Sequence, residues 1–338
     1  MKNKILIIKL GALGDVLRTT CILPSLKEKY KNSYIVWLTK KEAVPLLQNN
    51  PLIDRIDDDI KRVYKENFDL VINLDEELEV CQLASRVGKK IIGANLKNGK
   101  ISYTNNSKEW FDMGLISKFG KERADQLKKE NKKSYSEIII NMIGMEFDKK
   151  RDKPQLILTE EEKDFGFDFL KKNDIIKNKL IIGLNTNAGD RWKTKKIGIK
   201  KTVQLAEDLA EAFEAQIILL NEGQKKRTQE IIKKAKIKII DSGNNDLRKF
   251  SSIINACDLI ITSDSLVLHP AIALDKKFIC FFGPTPAVEI ETYDLGEKIA
   301  PQVDCLCCYR HKCKFKKSCL NKLDNKLFIN AAKKILNI

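Results

Sequence analysis

An acidic side chain stands where a glycine-containing turn meets the start of a helix. The stretch from Lys4 to Thr19 predicts a buried strand over 5–8, a turn with Gly11 and Gly14, and a helix opening near Asp15. Such a turn suits phosphate, yet a carboxylate repels the anion that a helix N-terminus attracts. Two interpretations of Asp15 follow: an N-cap of the helix, or a general base that takes a proton from a substrate hydroxyl. Taken alone, the turn favours the cap.

Three loops in the second half of the chain also follow predicted strands, at 186–193, 263–265 and 283–285. Because the carboxyl ends of parallel strands meet at one sheet edge, we expect these loops to lie together. Each loop alone is typical of an ordinary turn or helix cap. Together their hydroxyls, amides and cations suit a nucleotide. The substrate-binding candidates are Lys9, Gly11, Gly14, Thr186, Asn187, Arg191, Trp192, Lys193, Asp264, Ser265, His269, Gly283, Pro284 and Thr285.

Alternating strands and helices position these loops. The alternation runs from the N-terminus to residue 93 and restarts after 154, which predicts an α/β fold with two doubly wound parallel sheets and a ligand cleft between their loops. A length of 338 residues agrees with two domains. The polar stretch 94–133 breaks the alternation, and we predict an irregular segment there, either an acceptor-side loop or a flexible one.

The amino-acid composition indicates which classes of partner to expect. The chain carries 62 Lys and Arg against 46 Asp and Glu, a net charge of +16, which favours anionic partners. No nucleic-acid-binding motif is recognisable and aromatic residues make up only 7%, so we expect no nucleic-acid partner. No apolar stretch is long enough to span a membrane and no signal-peptide pattern opens the chain, so we expect a cytoplasmic protein.

Four of the nine cysteines form a compact set near the C-terminus, Cys305, Cys308, Cys313 and Cys319. The Cys-x2-Cys opening resembles a metal-binding spacing, but the later gaps of four and five residues match no standard zinc or iron–sulfur pattern. Reduced structural thiols are the favoured interpretation, metal binding by this set stays open, and no metal or cofactor is predicted for the reaction.

Two stretches resemble signatures of glycosyltransferase family 9, the heptosyltransferases of lipopolysaccharide core synthesis. Residues 7–19, with Pro24 after them, are similar to the family's first-loop signature. Residues 262–269 followed by 282–285 resemble its donor-site signature. The resemblance extends over nearly the whole chain, and the C-terminal cysteines also resemble a family feature.

Some positions match the family and others depart from it. Arg191 and Trp192 stand at the family's basic-aromatic pair. Leu266 occupies a usual glycine position, and Pro270 replaces an aliphatic residue. The sequence after Leu220 lacks the family's glycine-rich turn, which helps to grip the nucleoside, so the base and the sugar stay open.

The resemblance implies a GT-B fold with two Rossmann-like doubly wound domains facing a central cleft. It implies an acceptor-binding domain at 1–153, a nucleotide-sugar-binding domain at 154–324, and a final helix at 325–338 that packs back on the first domain. It implies an inverting, metal-independent transfer, typically from ADP-heptose, with Asp15 as base and Asp264 as donor-site acid. The implied partners are a nucleotide sugar, an anionic glycolipid acceptor and the inner surface of the membrane.

A separate donor site removes the need for phosphate at the first loop, so Asp15 becomes more useful as a base than as a cap, and it can serve as both. The alternative is a nucleotide binder without transferase activity, such as a Rossmann oxidoreductase. Against that alternative, the first loop lacks Gly-x-Gly-x-x-Gly, and the second strand ends in Trp37-Leu-Thr-Lys40 without an acid for a ribose.

Overall fold

The chain divides into two compact units. The computed structural model describes residues 3–176, 178–220 and 223–338, without the side chains of residues 190–192. The first unit runs to Ile157 and includes Val288–Glu291, and the second comprises Leu158–Ala287 and Thr292–Ile338. The predicted boundary after residue 153 lies close to this division, and the roles of the two domains stay predictions.

Strands and helices alternate through most of both units. The strands are β1 Lys4–Ile8, β2 Tyr34–Leu38, β3 Arg55–Asp57, β4 Phe68–Asn73, β5 Gly88–Lys97, β6 Lys100–Tyr103, β7 Ile181–Asn185, β8 Gln216–Leu219, β9 Ile239–Asp241, β10 Leu259–Ser263, β11 Lys277–Phe281 and β12 Gly296–Ile299. The helices are α1 Leu13–Thr19, α2 Ile22–Lys29, α3 Val44–Leu47, α4 Ile60–Val63, α5 Leu78–Val87, α6 Lys108–Phe111, α7 Gly120–Glu130, α8 Tyr135–Met142, α9 Glu160–Lys172, α10 Ile199–Phe213, α11 Lys225–Lys234, α12 Leu247–Ala256, α13 Leu268–Ala273 and α14 Asn325–Leu336.

The first sheet has the order β3-β2-β1-β4-β5-β6, in which only the β5–β6 pair is antiparallel. Apolar layers cover both of its faces. Ile5 and Ile7 belong to one buried cluster, whereas Leu6 and Ile8 belong to another. Because successive strand residues point to opposite faces, a run without polar residues is what a doubly covered parallel strand requires.

The second sheet has the order β12-β11-β10-β7-β8-β9 and is parallel throughout. Counted from the first strand of each unit, both sheets show the Rossmann order 3-2-1-4-5-6. The direction of winding reverses between β1 and β4 and between β7 and β10. Ligands of such sheets bind at the carboxyl ends of the strands beside this reversal. The predicted α/β, Rossmann-like fold is confirmed.

The prediction of an irregular segment at 94–133 is wrong. Most of it is ordered as the end of β5, then β6, α6 and α7. The Asn98-Gly99 turn has φ of 50° and 72°, the left-handed pair that a two-residue hairpin requires. The polar composition of the segment concealed this hairpin signal.

Three further elements differ from what the sequence pattern predicts. The pattern predicts a strand at 155–158, but these residues form none. The polar edge strand β12 was not predicted. The sequence predicts a helix from Leu17 to Lys29 with a kink or a new turn at Pro24. The structure has two helices, α1 and α2, and Pro24 lies in the first turn of the second. A proline is tolerated there because the N–H groups of the first turn have no partner within the helix.

The final helix, α14, packs within the second unit. Phe328 is fully buried, and its ring lies 5.8 Å from the ring of Phe281 on β11. The predicted return of this helix to the first domain stays a prediction. Among the described residues, no helix combines the length and apolar character needed to cross a bilayer.

Candidate functional site

A cavity of about 340 Å³ lies at the carboxyl ends of β7, β8 and β10, beside the winding reversal of the second sheet. Leu220, Phe250 and Leu266 contribute apolar side chains to its wall, and Asn187 and Ser265 contribute polar ones. A mainly apolar concave site with a few polar groups is typical of small-molecule binding. Its place and size suit a nucleoside.

Asn185, at the end of β7, connects the two strands that border the reversal. Its amide nitrogen donates to Thr262 Oγ1 at 3.2 Å and to Ser265 Oγ at 3.0 Å. Its amide oxygen accepts from the backbone N–H of Asn187 at 3.0 Å. One buried amide therefore fixes both loops, and the predicted proximity of the 186–193 and 263–265 loops is confirmed.

Asp264 lies at the centre of a charged cluster. Lys195 Nζ donates to its carboxylate at 2.6 Å and to its carbonyl oxygen at 3.0 Å, and Thr285 Oγ1 donates to the same carboxylate at 2.8 Å. Burial disfavours the charged form of Asp264, but Lys195, His269 and Thr285 outweigh it and lower the pKa to about 2. Asp264 is therefore ionised at neutral pH and holds Lys195 in place.

The 283–285 turn is held by the cysteine-rich segment. The backbone N–H of Cys307 donates to the carbonyl of Gly283 at 2.9 Å, and that of Tyr309 donates to the carbonyl of Pro284 at 3.0 Å. A Cβ at Gly283 would stand 2.9 Å from Cys319 Sγ, so only glycine fits without displacement. The third predicted loop thus reaches the same edge, through the bond between Thr285 and Asp264.

The side chain of Asn187 carries a buried hydrogen-bond acceptor that no described residue satisfies. Its backbone carbonyl accepts from Ser263 Oγ at 3.0 Å. Its side-chain oxygen is buried and has no hydrogen-bond partner in the described part of the chain, and the residue lines the cavity. Buried polar atoms are nearly always paired, so this oxygen is an available acceptor for an N–H or O–H of a molecule in the cavity.

Thr186 is buried, and its hydroxyl is already hydrogen-bonded within the protein. Its hydroxyl lies 2.8 Å from that of Thr202 and accepts from Arg227 at 3.1 Å. Arg227 also donates to the carbonyl of Ile197 at 2.7 Å, which ties α11 to the loop after β7. These hydrogen bonds give Thr186 a structural role, and its predicted contact with substrate stays a prediction.

The loop after β7 also carries the predicted residues Arg191, Trp192 and Lys193. The side chains of Arg191 and Trp192 lie outside the described residues. Lys193 is exposed, whereas Lys195, which is not among the predicted residues, donates to Asp264. Both lysines belong to one basic run, and only the 3-10 turn over Asp190–Lys195 decides which of them faces the acid.

Asp15 lies in the first turn of α1 in the first unit. The N-cap is Ala12, without a side-chain cap bond, so the interpretation of Asp15 as the N-cap is wrong. The helix starts two residues before Asp15, within the turn that was predicted to precede it. A carboxylate in the first turn still interacts favourably with the helix dipole.

Arg18 orients Asp15. Its guanidinium pairs with the Asp15 carboxylate at 2.9 Å and lies 3.8 Å from the ring of Tyr135. Trp110 packs edge-on against Tyr135 at 5.0 Å. The Asp15 side chain is 36% exposed, against 14% for Arg18. A partly exposed carboxylate with a fixed partner has the form of a positioned general base.

Lys9, another predicted substrate-binding residue, is 8% exposed and pairs with Asp75 at 2.8 Å. Asp75 also accepts from the backbone N–H of Leu10. This pair joins the ends of β1 and β4 at the first winding reversal. Gly11 has open space around its Cα, whereas Gly14 is buried in α1.

The described cysteines are all free thiols. Within the described residues, no three His, Cys, Asp or Glu side chains are grouped in a way that would hold a metal ion. The Cys305–Cys319 segment packs against the 283–285 turn, and the question of metal binding by its cysteines stays open.

Known proteins of one family are similar to this chain. The family described as Glycosyltransferase family 9 (heptosyltransferase) matches residues 59–323, more than half of the chain. Lipopolysaccharide heptosyltransferase 1 of Campylobacter coli is 26% identical over 304 residues, which cover 84% of this chain and 85% of that protein.

Solved structures share the fold. The glycosyl transferase family 9 structure from Veillonella parvula has a TM-score of 0.80 at 17% identity, covering 100% of this chain and 98% of that chain. E. coli heptosyltransferase WaaC with ADP has a TM-score of 0.61 at 15% identity, covering 98% of both chains.

Proposed function

We propose, on the premise that the chain belongs to glycosyltransferase family 9, that it transfers heptose from ADP-heptose to a lipopolysaccharide-core-like glycolipid, with inversion at the anomeric carbon. As a member of this family the chain is a glycosyltransferase. The observation that carries the donor part of the proposal is the nucleoside-sized cavity beside the Asp264–Lys195 pair, at the winding reversal of a Rossmann-type sheet.

The second unit binds the donor in this proposal. The nucleoside occupies the cavity, and its amino or hydroxyl group donates to the buried oxygen of Asn187. Lys195, held by Asp264, and the backbone amides around 283–285 stabilise the diphosphate. The solved E. coli relative with ADP supports an adenine nucleotide in a site of this fold.

The first unit supplies the base. Asp15 takes the proton from an acceptor hydroxyl, and the oxygen attacks the anomeric carbon from the face opposite the diphosphate. The new C–O bond forms as the bond to the diphosphate breaks, and ADP leaves with that electron pair. Inversion in a single displacement needs one base. Arg18 keeps the Asp15 carboxylate oriented for this step.

The acceptor is an anionic membrane glycolipid in this proposal, and the reaction takes place at the cytoplasmic face of the inner membrane. The relative from Campylobacter coli, named for lipopolysaccharide, supports the acceptor class. The net charge of +16 favours approach to an anionic surface.

Thermal stabilisation by a panel of nucleotide sugars tests the donor. We expect ADP-heptose and ADP to raise the melting temperature, with little change for the UDP and GDP sugars. Release of ADP in the presence of acceptor then tests turnover. Stabilisation by NAD without any response to nucleotide sugars would favour the oxidoreductase alternative and contradict the proposal.

A further inference from the structure

The segment 115–121, between α6 and α7, exposes two large apolar side chains from a fixed backbone. Leu115 is 83% exposed, the highest value among the exposed large hydrophobic residues of the described chain, and Phe119 is 60% exposed. A single exposed Leu is ordinary on a protein surface. Two exposed side chains of this size only four residues apart in one connection are less ordinary, because exposed apolar groups that occur together mark interaction sites.

Hydrogen bonds and packing hold this segment in place. The backbone N–H of Ile116 donates to Glu76 at 3.3 Å, and that of Lys118 donates to the Tyr103 hydroxyl at 3.2 Å. Ile116 itself packs against the small buried cluster of the first unit that contains Tyr103. The chain therefore turns one apolar residue inward while its neighbours stay in solvent.

Basic residues adjoin the two exposed side chains in the sequence. The ammonium of Lys118 lies 4.5 Å from the ring of Tyr103, and Lys121 is exposed at the start of α7. From 115 to 133 the sequence has seven Lys and Arg against three Asp and Glu, a net charge of +4. Apolar side chains beside exposed cations match the interface of an anionic bilayer, where apolar groups enter the acyl boundary and cations meet headgroups.

We propose that residues 115–121 form a membrane tip, which inserts Leu115 and Phe119 into the surface of an anionic bilayer while Lys118 and Lys121 contact lipid phosphates. The inference rests on the proposed function only in that the acceptor is a membrane glycolipid. The tip lies within residues 94–133, and it contacts the lipid surface in which such an acceptor is anchored.

Vesicle co-sedimentation of the full chain tests the membrane tip. Vesicles of phosphatidylglycerol with phosphatidylethanolamine should bind the protein, and vesicles of phosphatidylcholine alone should bind it much less. Leu115→Ser with Phe119→Ser should weaken binding at least about tenfold, because two apolar side chains no longer leave water. Lys118→Glu with Lys121→Glu should weaken it too, and should make it less dependent on salt.

The matched control replaces an exposed Phe and an exposed aliphatic residue of the second unit, Phe167→Ser with Ile176→Ser, which are 47% and 55% exposed. The control should bind vesicles as the unsubstituted protein does. Equal binding by the tip variant and the unsubstituted protein, or no binding of the unsubstituted protein to anionic vesicles, would overturn the proposal. The proposal would also be overturned if light scattering showed a dimer and the tip substitutions dissociated it.

Thermal stabilisation by ADP is measured on every variant. It should be unchanged in the tip variant, because the second unit holds the donor cavity. Failure of vesicle binding with intact ADP stabilisation would overturn the membrane tip and leave the proposed donor standing. Failure of ADP stabilisation in the unsubstituted protein would count against the proposed function instead.

Discussion

Lys195 and Asp264 connect the chemistry of the proposed donor site to its stability. Their side chains are 12% and 21% exposed, and their charged atoms lie 2.6 Å apart. A largely buried ion pair is costly to break from one side, because the remaining charge stays without its partner. The same lysine is proposed to meet the donor diphosphate, so one substitution should affect both properties.

Lys195→Met should lower the affinity for ADP at least tenfold and destabilise the fold by about 3 kcal/mol. Adding Asp264→Asn should restore part of the stability, because no buried carboxylate is left unpaired, but should leave ADP binding weak. Calorimetric titration and chemical denaturation measure the two effects. Lys200→Met, at an exposed position of α10, is the control. Unchanged ADP affinity in Lys195→Met would exclude this lysine from the donor site.

The pH dependence of stability follows from Asp264. Its folded pKa of about 2 lies below the ordinary value of 3.8, so its contribution is fully present above pH 3.8 and is lost as the pH falls through 2. The difference in unfolding free energy between the unsubstituted protein and Asp264→Asn should be constant from pH 7 to 5. The part due to ionisation, about 2 kcal/mol, should disappear only below pH 4. A decline already complete at pH 5 would contradict this account.

At the scale of elements, the cysteine-rich segment is close-packed against the 283–285 turn. A Cβ at Gly283 would stand 2.9 Å from Cys319 Sγ and 3.1 Å from a methyl carbon of Leu320. Gly283→Ala should therefore displace the turn, reduce stability by about 1–3 kcal/mol and weaken ADP binding.

Cys319→Ala added to Gly283→Ala should recover much of both losses, since it removes the nearest atom. Thermal melts and ADP titration of the two single variants and the double variant measure the coupling. Additive effects without recovery would show that the turn is not held by this contact.

The sequence was most informative where the chain is apolar. The sequence predicts β1 at 5–8 and β2 at 34–38, which agrees almost to the residue with the structure, because a parallel strand covered on both faces must be continuously hydrophobic. β6 and β12 were missed because both are short, polar edge strands whose pairing depends on their neighbours. The Asn98-Gly99 turn was a readable signal that the surrounding lysines obscured.

The candidate site was predictable as a set of loops but not as a set of contacts. Three loops following parallel strands had to meet at one edge, and they do. Sequence spacing does not show that Lys195 rather than Lys193 binds Asp264, because this depends on the conformation of a turn. It also does not show that Arg227 donates to Thr186, because this depends on how a distant helix packs. The position of Asp15 in the first turn of α1, where it pairs with Arg18, is likewise set by the start of the helix at the N-cap Ala12.

At the scale of the whole molecule, the two units divide the proposed reaction. Each has its own sheet, buried clusters and winding reversal, and the described residues that line the cavity proposed for ADP all belong to the second unit. Asp15 belongs to the first unit. Loss of the base should therefore leave donor binding intact while it prevents transfer.

The most direct test measures ADP affinity and transfer from ADP-heptose to a lipopolysaccharide-core acceptor on Asp15→Asn and on the unsubstituted protein. Asparagine keeps the size of the side chain but cannot accept the proton, so the account predicts ADP affinity within about twofold and transfer lower by roughly 10²–10⁴-fold. Transfer by Asp15→Asn within about tenfold of the unsubstituted protein would contradict the central claim that Asp15 is the base.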